Sequence, residues 1–241
     1  MKAICLITFR PNKIWCDFLN LFSKYKIFII VDDNDFELGD FMDNYENITF
    51  IKVENEKCKR TGYIDTNFTL GKLISGWDKA LYYFGFENDT DNYDFIWFME
   101  DDVFFNNEDT ILRIDQQYTN DDLLSPFYLE NSGDKNNWQW HRINIEYPQP
   151  HYRGMMCIVR FSKEMLDCIN YYAYQNKTLC FLEALFPTIA IKNNLKYGIP
   201  VEFNRITWNE TIEKEEINMN NLYHPVKDMN NHTYFREILK L

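Results

Sequence analysis

Glycine and proline are both scarce, 8 and 7 of 241 residues, and no Gly/Ser-rich linker, repeat period or like-charge block divides the chain. The expectation is therefore a single domain spanning residues 1–241. Basic residues are also short: 25 Lys and Arg face 37 Asp and Glu, for a net charge of -12. Neutralising a nucleic-acid backbone needs clustered Lys and Arg, and the sequence carries no such stripe, which argues against a duplex DNA or RNA partner. An anionic small molecule is still open to it, because a metal held by carboxylates can stand between an acidic protein and a diphosphate.

Cysteine patterning is missing as well. Cys5, Cys16, Cys58, Cys157, Cys168 and Cys180 form no C-x-x-C pair and no zinc-like Cys/His spacing, so they read as buried free thiols in a reducing compartment. Long apolar runs are absent: Met1 to Phe9 is too short and poorly flanked for a signal peptide or a membrane span. The expected location is the cytoplasm, that of a host cell if the source is viral. Asn-x-Thr triplets begin at Asn47, Asn67, Asn88, Asn176, Asn209 and Asn231, but asparagine is abundant throughout and no leader would deliver the chain for glycosylation. They read as chance.

What is present is core material, 46% hydrophobic and 17% aromatic residues. Ala3 to Phe9 reads as a buried strand stopped by Arg10-Pro11-Asn12. Ile14, Phe18, Leu21 and Phe22 then recur at helical spacing, and Tyr25 to Val31 is a second buried strand ending in Asp32-Asp33-Asn34-Asp35. Strand, helix, strand implies a parallel pair. Ile48 to Val53 is a third strand, Leu70 to Phe84 an amphipathic helix, and Tyr93 to Met99 a fourth strand, apolar enough to be covered on both faces. Asn107 to Tyr118 reads as a short helix, and Asn131 to Pro150 as an irregular, mobile substrate loop. Met155 to Phe161 is a strand leading into a helix capped near Ser162; a further helix covers about Leu179 to Asn193, and Tyr197 to Phe203 is a last strand.

The chemistry concentrates where the fourth strand ends in Glu100-Asp101-Asp102. Adjacent acids repel one another, and a divalent cation is the economical compensation. Hard oxygen ligands suit Mg or Mn, which share their shell with phosphate oxygens. A bare Glu-Asp-Asp is more often a solvated turn, but the apolar strand before it and Val103-Phe104-Phe105 after it favour the metal.

The segment Phe95-Ile96-Trp97-Phe98-Met99-Glu100-Asp101-Asp102-Val103 resembles the acidic motif of nucleotide-sugar glycosyltransferases of the GT-A fold. That resemblance implies a three-layer α/β/α sandwich with a mostly parallel central sheet, residues 1–105 forming a nucleotide-binding half and 106–241 an acceptor half. It implies transfer of a sugar from a nucleotide-sugar donor, UDP-linked, to a hydroxyl of a glycan or other acceptor. Asp102 would touch Mn or Mg directly, with Glu100 and Asp101 assisting through water or the sugar. Thr8 and Arg10 would lie near the nucleotide, with Asp32 or Asp33 accepting from base or ribose; a polar turn is an equal reading of those acids.

Lys79, or alternatively Lys72, would face the diphosphate, although lysine on an amphipathic helix is usually solvated. His224, in Leu222-Tyr223-His224-Pro225-Val226-Lys227, would be a further metal ligand, with Lys227 reaching a phosphate. Glu183 is a charge inside an apolar stretch, where burial raises a carboxyl pKa and suits a proton acceptor; the exposed edge of a buried helix is the competing reading. Gly154 would let the backbone approach a ligand, or is an ordinary turn glycine. Trp138, Trp140 and His141 are candidates for stacking on an acceptor or for packing. The other readings are a metal-dependent nucleotidyltransferase or phosphohydrolase, and a non-catalytic sugar-nucleotide or glycan-binding protein.

Overall fold

Alternation along the first strand sets the architecture. In β1 (Lys2–Thr8), Ala3, Cys5 and Ile7 face one core while Ile4 and Leu6 face the other, the period of two that a strand covered on both sides requires. The same division runs through β2 (Lys26–Val31) and β4 (Phe95–Glu100), where Phe98 faces the first core and Trp97 and Met99 the second. These positions come from a computed structural model that describes residues 1–88, 93–131 and 138–240.

Seven strands form the central sheet in the order β3 (Ile48–Ile51), β2, β1, β4, β8 (Ile158–Ser162), β5 (Leu123–Leu124), β9 (Tyr197–Gly198). The pairs β3–β2, β2–β1, β1–β4 and β5–β9 are parallel, whereas β8 runs antiparallel to both its neighbours. The chain winds outward from β1 to β3 and then returns to place β4 on the other side of β1. Such a reversal opens a crevice at the carboxyl ends of the two strands.

Outside this sheet, β6 (Tyr128–Asn131) pairs antiparallel with β7 (His151–Gly154), and the short helices α2 (Gly39–Asn44) and α3 (Asn55–Thr61) precede and follow β3 in the chain; helices cover both faces. α1 (Lys13–Leu19) and α5 (Glu108–Gln117) pack on the Trp97 face, and α4 (Gly76–Tyr82), α6 (Lys163–Asn176) and α7 (Leu182–Lys192) on the Phe98 face. The expected three-layer α/β/α sandwich with a mostly parallel sheet is what the chain forms. Asn12 caps α1 by accepting from the Trp15 N–H, Asn107 caps α5 through Thr110 N–H, and Ser162 caps α6 through Met165 N–H.

Some boundaries differ from the sequence reading. The helix expected over 70–84 starts at Gly76, because Ser75 and Asp78 form a reciprocal capping box that fixes its first turn, and Leu73 lies exposed before it. Only Tyr197 and Gly198 of the expected last strand pair with the sheet; Pro200 follows and cannot donate to a ladder. Of the loop expected over 131–150, residues 132–137 lie outside the described residues. The remainder is packed: Trp140 and Ile145 are buried in the core, and Tyr147 stacks on Tyr172 at 5.7 Å. All six cysteines are free, and five are buried. No helix among the described residues is long and apolar enough to cross a membrane.

Beyond β9 the chain returns to the carboxyl end of β4, where Tyr223 and Val226 hydrogen-bond Phe104 and Asp102. β10 (Arg205–Ile206) pairs in parallel with β11 (Tyr223–His224), and α8 (Met229–Ile238) then docks on α1.

Candidate metal centre and its two clefts

Backbone pairing carries His224 to the acids. Phe104 and Tyr223 exchange two main-chain hydrogen bonds of 2.8 and 2.9 Å, and Val226 N–H donates to the Asp102 carbonyl at 2.7 Å. Glu100, Asp102 and His224 thereby each offer a ligand atom, all within 4.8 Å of one another. The His224 Nδ1 lies 2.6 Å from the Thr207 carbonyl, which can only accept, so Nδ1 carries the proton and the neutral ring turns its Nε2 lone pair toward Asp102.

Nε2 stands 3.3 Å from Asp102 Oδ1, a buried oxygen that accepts no other donor. Two acceptors facing each other across this gap call for a shared cation. Adjacent ligands of an octahedral Mg or Mn ion, each about 2.1 Å from the metal, sit about 3 Å apart, so the pair fits one. In its place a proton is drawn in: burial pulls the His224 pKa down, but the Asp102 and Glu100 carboxylates and the Thr207 carbonyl outweigh it, and the net shift is upward.

The acids are braced by neutral donors. Trp77 Nε1 donates to Glu100 Oε1 at 2.7 Å, Thr8 Oγ1 to Asp101 Oδ2 at 2.5 Å, and Trp15 Nε1 to the Asp101 carbonyl at 2.7 Å. No Lys or Arg among the described residues forms an ion pair with any of the three. Burial accordingly pushes the Glu100 and Asp101 carboxyls up, despite the Trp77 and Thr8 bonds that favour their charged forms.

Two clefts meet at Glu100. The smaller, about 220 Å³, is lined by Thr8, Asp32, Lys72, Gly76, Asp101 and Asp102; the larger, about 530 Å³, by Trp138, Arg153, Glu183, Trp208 and His224. Glu183 lies in the first turn of α7, where burial foremost, and then the Glu100 charge, push its carboxyl up to about 7 against the opposing pull of Trp208 and Arg153. Gly76, on the wall of the smaller cleft, is packed against protein: a Cβ there would stand 2.6 Å from Ile7 Cγ2.

Other candidates sit differently. Lys79 is buried, and its ammonium is occupied by the Asp32 carboxylate at 3.0 Å, the Asp32 carbonyl and Asn34 Oδ1 at 2.8 Å; it anchors Asp32 rather than facing the cleft. Lys72 is exposed and 3.8 Å from the same carboxylate. Arg10 holds Asp33 at 2.6 Å, which keeps that carboxyl below its usual range. The space beside Gly154 is filled by the Phe127 carbonyl, so its missing side chain serves packing against protein. Lys227 lines a separate cavity with Asn209, Glu210 and Asn231. The indoles of Trp15, Trp77 and Trp208 belong to the site, although no spacing in the sequence marks them; Arg153 stands out in the sequence only as the neighbour of Gly154.

No protein-family model and no curated protein matches the sequence. Among solved structures, the galactosyltransferase LgtC in complex with donor and acceptor sugar analogs superposes with a TM-score of 0.52 at 13% identity, covering 100% of this chain and 97% of that one. An active-site mutant of LgtC gives 0.51 at 12% identity with the same coverage. The fold is thus the GT-A fold of nucleotide-sugar glycosyltransferases, with an acidic cluster of metal-binding geometry at the carboxyl end of its central strands.

Proposed function

We propose that this protein is a metal-dependent glycosyltransferase that moves a sugar from a nucleotide-sugar donor, UDP-linked, to an acceptor hydroxyl, acting in the cytoplasm. The observation that carries the reading is the pair of buried acceptors, Asp102 Oδ1 and His224 Nε2, converging with Glu100 where two clefts join on a GT-A fold.

Asp102 and His224 would hold Mn or Mg, with Glu100 completing the set or acting through water. Bound there, the ion neutralises the charge that develops on a departing diphosphate. Residues 1–105 supply the donor side: Thr8, Asp101 and Lys72 line the smaller cleft, and Asp32, fixed by Lys79, offers a carboxylate to ribose or base. Residues 106–241 supply the acceptor side. There Glu183 accepts the hydroxyl proton as the acceptor oxygen bonds to the anomeric carbon and the bond from that carbon to the diphosphate oxygen breaks. A carboxyl near 7 is matched to that task, since it is partly ionised at neutral pH and still basic enough to take a proton.

The test is product analysis with a panel of nucleotide sugars, Mn and mixed acceptors. Transfer leaves a nucleoside diphosphate and a glycosylated acceptor. Release of pyrophosphate or free phosphate instead would identify a nucleotidyltransferase or phosphohydrolase, and donor binding without any product would leave a binding protein.

A further inference from the structure

We propose that His232, on the C-terminal helix α8, is a positioning residue for the metal centre, tying together the two main-chain contacts that aim the Asp102 carboxylate. Its role rests on the metal-site reading, though not on the identity of donor or acceptor.

The direction of a side chain follows from the two planar peptide groups that flank its Cα. At Asp102 both are held from outside. The Asp101 carbonyl accepts from Trp15 Nε1 at 2.7 Å, and the Asp102 carbonyl accepts from the Val226 N–H at 2.7 Å. His232 meets both of these donors. Its ring packs edge-on to the Trp15 indole at 5.3 Å, and its Nε2 lies 2.9 Å from the Val226 carbonyl. That carbonyl can only accept, so Nε2 carries the proton and the ring is neutral. Val226 is therefore gripped from two sides, by Asp102 through its N–H and by His232 through its carbonyl. It stands two residues beyond His224, so the same grip holds the segment that presents the second ligand.

Packing alone does not account for an imidazole at this position. His232 is fully buried between Trp15 and Phe104, and its Nδ1 has no hydrogen-bond partner. Burial foremost, with the Arg236 charge, pulls its pKa down to about 4 against the Val226 carbonyl, so the ring stays neutral across the physiological range. A leucine would fill the space without stranding a buried lone pair. What leucine lacks is the proton delivered to Val226.

The test is Mn binding by the full chain without nucleotide, followed by electron paramagnetic resonance of the free ion, beside urea unfolding of the metal-free protein. His232→Leu keeps the volume and removes the donor; it should weaken Mn binding roughly tenfold or more, the usual cost of losing an outer contact to a metal ligand, while its unfolding midpoint moves little. His232→Gln, whose amide N–H can take the place of Nε2–H, should recover most of the affinity. Phe235→Leu thins the packing of the same helix on Phe104 and removes no hydrogen bond, so it should lower the unfolding midpoint and leave Mn affinity near wild type. In metal-free wild type the Val226 amide should exchange as slowly as those of β4. Wild-type protein that takes up no Mn would remove the metal reading and this role with it. Where the wild type does bind Mn, four results each overturn the positioning role alone: equal affinity in folded His232→Leu, no recovery in folded His232→Gln, equal weakening in Phe235→Leu, or Val226 exchange at the rate of an exposed loop.

Discussion

The two ends of the central strands treat their acids in opposite ways. At the amino end, Asp115 is fully buried but surrounded by donors: Arg160 Nη1 at 3.0 Å, Lys2 Nζ at 3.2 Å, Tyr25 OH at 2.6 Å and Trp97 Nε1 at 3.1 Å. At the carboxyl end, Glu100, Asp101 and Asp102 are met by indoles, a hydroxyl and one imidazole, and an oxygen of Asp102 is left without a donor. One cluster carries its own cations and is complete. The other is built to orient carboxylates without neutralising them, which is how a protein leaves room for a cation from outside.

Removing an acid from each end tests that contrast most sharply. Asp102→Ala should lower metal-dependent transfer by roughly 10³-fold or more in a steady-state assay, because the metal-stabilised leaving group is lost. The same variant should unfold no earlier than wild type in the absence of metal. Near wild-type transfer by folded Asp102→Ala would end the metal reading. Asp115→Asn should do the opposite, leaving the clefts unaltered but costing roughly 3–5 kcal/mol in urea unfolding, since it strands the Arg160 guanidinium in the interior. A loss below about 1 kcal/mol would show that the amino-end cluster is not the closed unit described.

Smaller effects sharpen the picture. Trp77→Phe keeps the ring but deletes the bond to Glu100, and should weaken Mn binding roughly tenfold in a thermal-shift titration. The pH dependence is smaller still. Glu100, Asp101 and His224 are raised and Asp78 and Glu183 are raised to about 7, while His232, lowered to about 4, works against them, so on balance the folded state holds more protons than the unfolded one between the ordinary carboxylate range and neutrality. Stability present at the acid side of that window is therefore lost as pH rises through it. Scanning calorimetry from pH 5 to pH 8 should show the midpoint falling by a few degrees without metal, about 2–4 °C for each kcal/mol at this chain length. Mn should flatten the fall; a midpoint that rises across the window would contradict the sign.

The layers of the fold were legible because apolar strands and amphipathic helices announce themselves by period, and Phe95 to Asp102 could be read almost residue by residue. The antiparallel insertion of β8 between β4 and β5 was not, since strand order depends on contacts distant in sequence. The start of α4 is in principle visible in Ser75-x-x-Asp78, a local capping signal that competes with the apolar run beginning at Leu70. For the site, the position of the acids came from the strand pattern, whereas His224 was picked out by family resemblance. Lys79 shows the limit of such reasoning: its place on α4 was clear, but that Asp32 claims its ammonium depends on where β2 ends in space.

The link between His224 and Asp102 spans some 120 positions of chain. During synthesis at roughly 5–20 residues per second, the acids are made on the order of ten seconds before the histidine that faces them. For that interval the nascent strand end is an acid cluster lacking the imidazole that faces it, while the Asp115 cluster needs only residues up to 160. The order of manufacture thus runs from scaffold to site. A ribosome-stalled chain ending before residue 222 should already hold the amino-end charge network, yet have no means of bringing an imidazole to Glu100 and Asp102.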